Sequence, residues 1–189
     1  MGVPAHLHQH SFRDYLAVEE ISNVKHEYLA GEIYAMAGGS VRHAGLSASI
    51  SAMLHGQLGG RCRIYSSDLR IRALATGLAS YPDVTVVCGA AETDPESADT
   101  VVNPTVLVEV LSPGTIDYDL GEKFEHYRQI PSLKAVVYVW QDRRQIEVRY
   151  RIGPESWRTE TTSGPSTIAR VDALGCDVDL DALYVDAGV

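Results

Sequence analysis

The sequence predicts a mixed α/β (α+β) fold in which one mixed β-sheet is flanked by helices. Residues 105–111 and 135–140 form short, almost continuous apolar runs, which are typical of central strands buried on both faces. Residues 146–151 alternate apolar and polar side chains, which indicates a half-exposed strand near a sheet edge. A segment with helical spacing separates the first two runs, and a turn at 142–144 separates the second run from the third.

The first third of the chain is predicted to form a helix, a β-hairpin and a second helix. Ser11 followed by Asp14 resembles a capped helix start, and apolar residues then recur at helical spacing. Two short apolar runs on either side of Gly31 indicate the hairpin. Ser40 can cap a helix over residues 41–58, because apolar side chains recur along one of its faces.

Two strands are predicted next, over residues 61–72 and 80–88, with a turn between them. Residues 90–103 are acidic and polar, which favours a surface loop. A helix over residues 116–130 should follow the central run and end at Pro131. The remaining tail is predicted to add one strand and a short closing helix.

Length and composition favour one globular domain over residues 11–189, preceded by a flexible N-terminus at 1–10. The apolar runs are far shorter than the roughly 20 residues that span a bilayer, and the N-terminus lacks the apolar stretch of a signal peptide. Cys62, Cys88 and Cys176 are odd in number and match no paired-cysteine metal motif. We therefore expect three reduced thiols in a cytoplasmic protein without membrane association.

The charge balance disfavours a protein that grips nucleic acid with an overall basic surface. Sixteen basic and 25 acidic residues give a net charge of -9. A local basic groove stays possible, because phosphate affinity depends on where the cations lie. Arg61, Arg63, Arg70 and Arg72 could form such a groove, or could simply be solvated strand residues.

Three acidic residues occur in predicted strands, where ionised carboxylates are costly unless they are paired or bind a metal. Glu109 interrupts the central apolar run, Asp83 follows Pro82, and Asp68 lies in the first strand of the predicted pair. If that pair forms a hairpin, Asp68 lies opposite Asp83, and the two carboxylates need a cation or a proton between them. Alternatively, Glu109 pairs with Arg70 or Arg72, and Asp83 only lies in a turn or starts a strand.

Lys123 could complete a hydrolytic site with these acids. It lies beside Phe124 and four residues before Tyr127, so it can flank the face of the predicted helix that packs on the sheet. Carboxylates prefer hard cations such as Mg²⁺, which lower the pKa of a bound water and neutralise charge on a phosphodiester. A nearby lysine can orient that water or stabilise developing negative charge.

Five short motifs carry a resemblance to a known family. They are Lys25-His26-Glu27-Tyr28, Gly31-Glu32-Ile33-Tyr34, Tyr81-Pro82-Asp83-Val84, Val108-Glu109-Val110-Leu111-Ser112-Pro113, and the set Asp117, Asp119, Glu122-Lys123 and Tyr127. Over residues 12–151, and more weakly in the tail, the chain resembles the Uma-type restriction endonuclease family of the PD-(D/E)XK nuclease superfamily. The resemblance implies a restriction endonuclease-like core.

The resemblance also implies roles for individual residues. Asp83 and Glu109 would be the metal ligands, for Mg²⁺ or Mn²⁺, and Glu27 a further acid near the metal. The superfamily's lysine, expected two residues after the second acid, is Leu111 here, so Lys123 could supply the ammonium group instead. His43 would either face this site or serve as a capping or surface residue. DNA would be the substrate, and a homodimer is expected because cutting both strands usually needs two sites.

The leading hypothesis is therefore a Mg²⁺-dependent DNA endonuclease with an Asp/Glu/Lys site. One alternative is a catalytically inactive nucleic-acid-binding protein that retains the fold. Another is an oligomerising protein whose acids form internal salt bridges. A Gly-x-Ser-x-Gly elbow and a phosphate-cradling Gly-Lys-Ser/Thr loop are both missing from the sequence, which disfavours a serine hydrolase and a nucleoside triphosphatase.

Overall fold

A computed structural model describes residues 9–185 and 187. Within these residues the chain forms five helices and fourteen strands. Residues 1–8 of the segment predicted to be flexible lie outside the described residues. The helices are α1 (Phe12–Ile21), α2 (Val41–Leu58), α3 (Ile116–Leu120), α4 (Glu122–Tyr127) and α5 (Leu180–Leu183). The strands are β1 (His26–Leu29), β2 (Glu32–Ala35), β3 (Cys62–Ser66), β4 (Arg70–Arg72), β5 (Ala79–Ser80), β6 (Val84–Cys88), β7 (Thr93–Asp94), β8 (Ser97–Val101), β9 (Val106–Leu111), β10 (Ala135–Trp140), β11 (Gln145–Arg151), β12 (Trp157–Ser163), β13 (Ile168–Val171) and β14 (Cys176–Asp179).

These strands form three sheets, where the sequence predicts one. The first sheet has the order β2-β1-β5-β4-β8-β7, the second has the order β12-β11-β10-β9-β6-β3, and β13 pairs with β14 alone. Both six-stranded sheets are mixed, because β4 is parallel to β8 and β9 is parallel to β10 among otherwise antiparallel pairs. The prediction of a mixed sheet flanked by helices is correct, but its count of one sheet is wrong.

The second sheet is the core of the fold, since every residue of β9 and β10 is buried. Side chains alternate between the faces of a strand, and the two faces pack differently. The face that includes Val108 packs against α2, whose buried residues recur every four positions. The opposite face, which includes Leu107 and Leu111, packs against α4 and the first sheet. The two six-stranded sheets therefore meet on the side where α3 and α4 lie.

The helix, β-hairpin and second helix predicted in the first third of the chain are confirmed as α1, β1 with β2, and α2. Ser11 and Asp14 form a reciprocal capping box at α1, and the Oγ of Ser40 accepts a hydrogen bond from a backbone N–H in the first turn of α2. The turn between β1 and β2 places Ala30 and Gly31 at φ values of 51° and 91°. Two consecutive left-handed residues are typical of a tight hairpin turn.

The two strands predicted at 61–72 and 80–88 each divide between sheets. Residues 62–66 and 84–88 pair in the second sheet, whereas residues 70–72 and 79–80 pair in the first. Within these two predicted strands the chain therefore crosses between the sheets twice, and Pro82, which cannot donate a hydrogen bond to a strand pair, lies in the second of these crossings. Apolar periodicity alone does not reveal a change of sheet, because both halves of each strand are partly buried.

This crossing overturns the predicted pairing of Asp68 with Asp83. The predicted register holds near the turn, where Ile71 lies opposite Ser80, but it shifts by one residue farther along, where Ser66 lies opposite Val84. Asp68 falls in the turn between β3 and β4, with 84% of its side chain exposed. The prediction is wrong because a turn interrupts the strand.

Two other expectations need correction. The acidic segment at 90–103 is not a loop but contains the hairpin of β7 and β8, in which Asp94 accepts a hydrogen bond from Arg72. The single helix predicted at 116–130 is two short helices that meet at Gly121. A Cβ at this position would lie 2.7 Å from the carbonyl oxygen of Asp117, so the bend requires glycine.

The prediction of three reduced thiols is wrong. Cys62 and Cys88 lie directly opposite each other on β3 and β6 and form a disulfide, while Cys176 is a buried free thiol. Sequence spacing could not reveal this pair, because the two cysteines are 26 residues apart and only the strand register aligns them. The expectation of a cytoplasmic protein loses this support and stays a prediction. Within the described residues, no helix combines the length and the apolar character needed to cross a membrane.

Packing between α2 and the second sheet generates a stability prediction. Leu54 is fully buried on the sheet-facing side of α2. Replacing Leu54 by Ala leaves a cavity, so we expect the free energy of unfolding to fall by about 2–5 kcal/mol. Val41, at the exposed start of the same helix, is the matched control, and Val41→Ala should change stability by less than about 0.5 kcal/mol. Urea unfolding of both variants measures this, and equal effects would refute the packing described.

Candidate active site

Glu109 lies in the buried interface between the second sheet, α4 and the first sheet. It shares a face of β9 with Leu107 and Leu111, and only 6% of its side chain is exposed. The neighbouring side chains on that face of β9 are apolar, so packing alone would favour an apolar residue at this position rather than a carboxylate. The cost of burying it must be offset by specific partners.

The main partner is Lys123, the second residue of α4, which begins directly after the bend at Gly121. Its Nζ lies 2.9 Å from Oε1 of Glu27, 3.1 Å from Oε1 of Glu109 and 3.3 Å from Oδ1 of Asp119. Glu27 comes from β1 in the first sheet and Glu109 from β9 in the second, so one ammonium group links acids of both sheets. All four side chains are at most 10% exposed.

Hydroxyl groups surround this cluster. The Tyr127 hydroxyl donates a hydrogen bond of 2.6 Å to Oε1 of Glu109 and lies 2.9 Å from the Ser80 hydroxyl. The Tyr138 hydroxyl donates to the backbone carbonyl of Asp119. These contacts fix the positions of the acids on both sides of Lys123.

Asp83 lies next to Glu109 because of the strand register. Val84, the first residue of β6, lies opposite Val108 of β9, so Asp83, which directly precedes β6, reaches the position of Glu109. Oδ2 of Asp83 accepts a 2.7 Å hydrogen bond from the backbone N–H of Val110 and lies 3.2 Å from Nε2 of His43. His43 is in the first turn of α2, so this helix approaches the site with its N-terminal end.

The surroundings of Glu109, Lys123 and His43 raise the pKa of each of these groups and so favour its protonated form. Burial raises the pKa of Glu109 to about 8, with smaller contributions from Asp119 and Asp83, although Lys123 opposes the shift. Burial also disfavours the Lys123 ammonium, but the surrounding carboxylates, Glu109 first, raise its pKa well above the ordinary value. The hydrogen bond to Asp83 raises the pKa of His43 against the opposing effect of burial.

The donor set fits a divalent cation. Four carboxylates, those of Glu27, Asp83, Glu109 and Asp119, share one lysine ammonium and the His43 ring, which leaves an excess of negative charge. Oε1 of Glu27 is buried without a hydrogen bond, despite its ion pair with Lys123. Oxygen ligands suit Mg²⁺, which often uses only one or two carboxylates. Among residues 9–185 and 187, no three His, Cys, Asp or Glu side chains converge as a ready metal cage.

The structure brings most of the predicted residues together. Glu27, Glu109 and Lys123 are in direct contact, and Asp83 and His43 lie beside them. Asp68 does not join them, because it pairs with Lys25 at 2.6 Å on the surface.

Sequence reasoning assigned no role to Asp119, Tyr127 and Ser80. A signal existed for the first two, because they lie four residues before and four after Lys123, the spacing at which side chains share a helix face. For Asp119 this spacing was an incomplete guide, because Asp119 and Lys123 lie on two different helices that meet at the bend. Ser80 carried no signal, since only the pairing of the first sheet brings it to Tyr127.

The two arginines of β4 serve a different purpose from the one expected. Arg70 is buried and donates hydrogen bonds to Thr100, Tyr81 and Ser97. Arg72 pairs with Asp94 and Glu96. Neither arginine pairs with Glu109, and neither offers a free charge to phosphates, so the predicted basic groove is wrong for these two.

Comparison with known proteins agrees with this architecture. The model of the Uma2 family, described as "Putative restriction endonuclease", matches residues 12–182. Two uncharacterized proteins of Synechocystis sp. are 34% and 32% identical to the chain; the first match covers 90% of this chain and 89% of the relative, the second 76% and 82%. A crystal structure of a "putative nuclease belonging to DUF820" from Anabaena variabilis superposes with a TM-score of 0.71 at 16% identity, covering 87% of this chain and 92% of that one.

The family match extends over most of the chain, and the structural match confirms the predicted fold class, a restriction endonuclease-like core with mixed sheets and flanking helices. Family and fold together indicate a nuclease of the restriction endonuclease-like type. The chain belongs to the Uma2 family.

Proposed function

We propose that the protein is a Mg²⁺- or Mn²⁺-dependent DNA endonuclease that hydrolyses phosphodiester bonds at the site around Glu109. The observation that carries this proposal is the buried Lys123 ammonium, held against Glu27 and Glu109 beside Asp83. Clusters in which burial and neighbouring charges shift pKa values so strongly are concentrated at functional sites. Membership of the Uma2 family supports the same reaction class.

Each residue has a distinct task in this proposal. Asp83 and Glu109 would hold the metal, which when bound supplies a water of lowered pKa and neutralises charge on the phosphate. The Lys123 ammonium orients the attacking water or stabilises developing negative charge. Glu27 keeps that ammonium in place, since its carboxylate is 2.9 Å away. His43 and the Val110 N–H orient the Asp83 carboxylate.

DNA as substrate, a homodimer and a cytoplasmic location complete the proposal. A dimer would carry two copies of this site. The family supports a nucleic acid substrate, while the dimer and the location rest on the expectations drawn from the sequence.

A second candidate is an inactive nucleic-acid-binding or oligomerising protein that keeps the nuclease fold. One observation favours it: the Lys123 ammonium fills the space among three carboxylates and neutralises part of their charge without a metal. Metal titration by calorimetry and a cleavage assay distinguish the candidates, because only the nuclease requires both metal binding and turnover.

Removal of the Asp83 carboxylate tests the proposed site. We expect Asp83→Ala to lower metal-dependent cleavage of supercoiled plasmid and single-stranded circular DNA by at least roughly a hundredfold, because a metal contributes several kcal/mol to such a reaction. Gel assays with Mg²⁺ or Mn²⁺, and with EDTA as a blank, measure this. Asp68→Ala is the matched control, since Asp68 is an exposed carboxylate away from the site, and it should cleave normally. An Asp83→Ala protein as active as wild type would refute the assignment.

The raised pKa of Glu109 predicts a pH dependence of stability. A carboxyl group whose pKa rises from 4.5 to about 8 on folding binds its proton more tightly when folded. Its stabilising contribution is therefore present below about pH 4.5 and is lost as the pH rises through about 8. We expect metal-free Glu109→Gln to be more stable than wild type near pH 8, by on the order of a few kcal/mol.

Urea unfolding in EDTA across this pH range measures the effect. Glu125→Gln, a change of the same chemistry at an exposed position of α4, should keep the wild-type pH dependence. If Glu109→Gln follows the wild-type curve, Glu109 is ionised throughout and the proposed charge excess is wrong.

A further inference from the structure

Tyr34 is an exposed aromatic side chain next to the acidic cluster. It lies directly opposite Glu27 in the antiparallel pair of β1 and β2, and 53% of it is exposed. Side chains directly opposite each other share a face of the sheet, with Cβ atoms about 4.5–5.5 Å apart. Tyr34 therefore stands beside the carboxylate that contacts Lys123.

The fold itself does not need this ring. The other face of the same hairpin carries Tyr28 and Ile33, which lie opposite each other and pack with Phe12 and Tyr15 of α1. Tyr34 points away from that cluster because side chains alternate along a strand. Among the described residues, β2 is the edge strand of its sheet, and the Tyr34 side chain is one of the exposed large apolar groups.

A second aromatic residue borders the same carboxylate. Tyr118 of α3 is half-buried, and its pKa is raised first by burial and then by the charge of Glu27. The Lys123 Nζ lies 6.0 Å from the centre of the Tyr118 ring. Tyr34 and Tyr118 thus place two aromatic rings around Glu27, of which Tyr34 is the more accessible.

The charge of the protein makes such rings useful for binding nucleic acid. The net charge is -9, and Arg70 and Arg72 form hydrogen bonds and ion pairs within the protein. An acidic surface gains little affinity from phosphates, whose contacts need cations. Stacking of a base on an aromatic ring needs no cation and contributes about 1–3 kcal/mol per base.

We propose that Tyr34 is a stacking platform for an unpaired nucleobase and that the site takes single-stranded nucleic acid. This inference rests on the proposed nuclease function and deepens it. In a duplex, neighbouring base pairs cover both faces of each base, and extruding one costs a few kcal/mol. A single strand presents its bases without that cost, so a ring beside the acidic cluster favours it.

Binding measurements with matched ligands test the platform. The probes are a fluorescent single-stranded oligothymidylate, an abasic oligonucleotide of the same length, and a duplex, each titrated with the protein in Ca²⁺ and followed by anisotropy. We expect wild type to bind the oligothymidylate more tightly than the other two probes. Tyr34→Ala should weaken oligothymidylate binding roughly 5- to 100-fold without changing abasic binding, and Tyr34→Phe should keep wild-type affinity.

Ile168→Ala is the control for loss of an exposed apolar side chain, since Ile168 is 58% exposed on β13, and it should bind as wild type does. Unchanged affinity of Tyr34→Ala, or an equal loss on the abasic probe, overturns the stacking role. Duplex binding at least as tight as single-strand binding overturns the substrate class. In either case, if the wild-type protein cleaves plasmid, the proposed nuclease function still holds. If the wild-type protein neither binds nor cleaves any of the probes, both proposals are wrong.

Discussion

The pairing of the Lys123 ammonium with three buried carboxylates is the constraint on which the arrangement of the two large sheets depends. Taking an ion out of water costs several kcal/mol even after relaxation, and removing one partner leaves the others buried and uncompensated. Glu27 belongs to the first sheet and Glu109 to the second, so moving the sheets apart would break one of these pairs. The bend at Gly121 is part of the same constraint, because it lets Asp119 and Lys123 reach the cluster together.

Such a cluster is a poor way to stabilise a protein. Apolar side chains of similar volume would fill the interface between β9 and α4 at no electrostatic cost, as Leu107 and Leu111 do on either side of Glu109. The excess of carboxylates makes the cost larger, and it appears as the raised pKa of Glu109. A cluster of like charges buried in a dry interface is better explained by a catalytic role than by a contribution to folding stability. The hydrogen bonds to Asp83 and Glu109 hold that charge in a fixed geometry.

Much of the fold and part of the site could be predicted from local patterns. The capping residues Ser11 and Ser40, the hairpin turn at Gly31 and the apolar run around Glu109 each act within a few residues, so their signals are readable in one dimension. The disulfide between Cys62 and Cys88 depends on strand pairing, and local patterns could not show it. The same holds for the failed pairing of Asp68, where one turn shifted the register.

The sequence by itself determined where most of the strands and helices lie and that Glu109 is a carboxylate in an apolar strand. These properties follow from side-chain periodicity and from the cost of burying charge, both of which are local. Only the tertiary structure decided which residues compensate that charge. It selected Lys123 and Tyr127 rather than Arg70 or Arg72 of β4, and it brought Glu27 across from another sheet. The reason is that electrostatic pairing acts over a few ångströms in space, and the packing of two sheets sets distances that sequence separation does not encode.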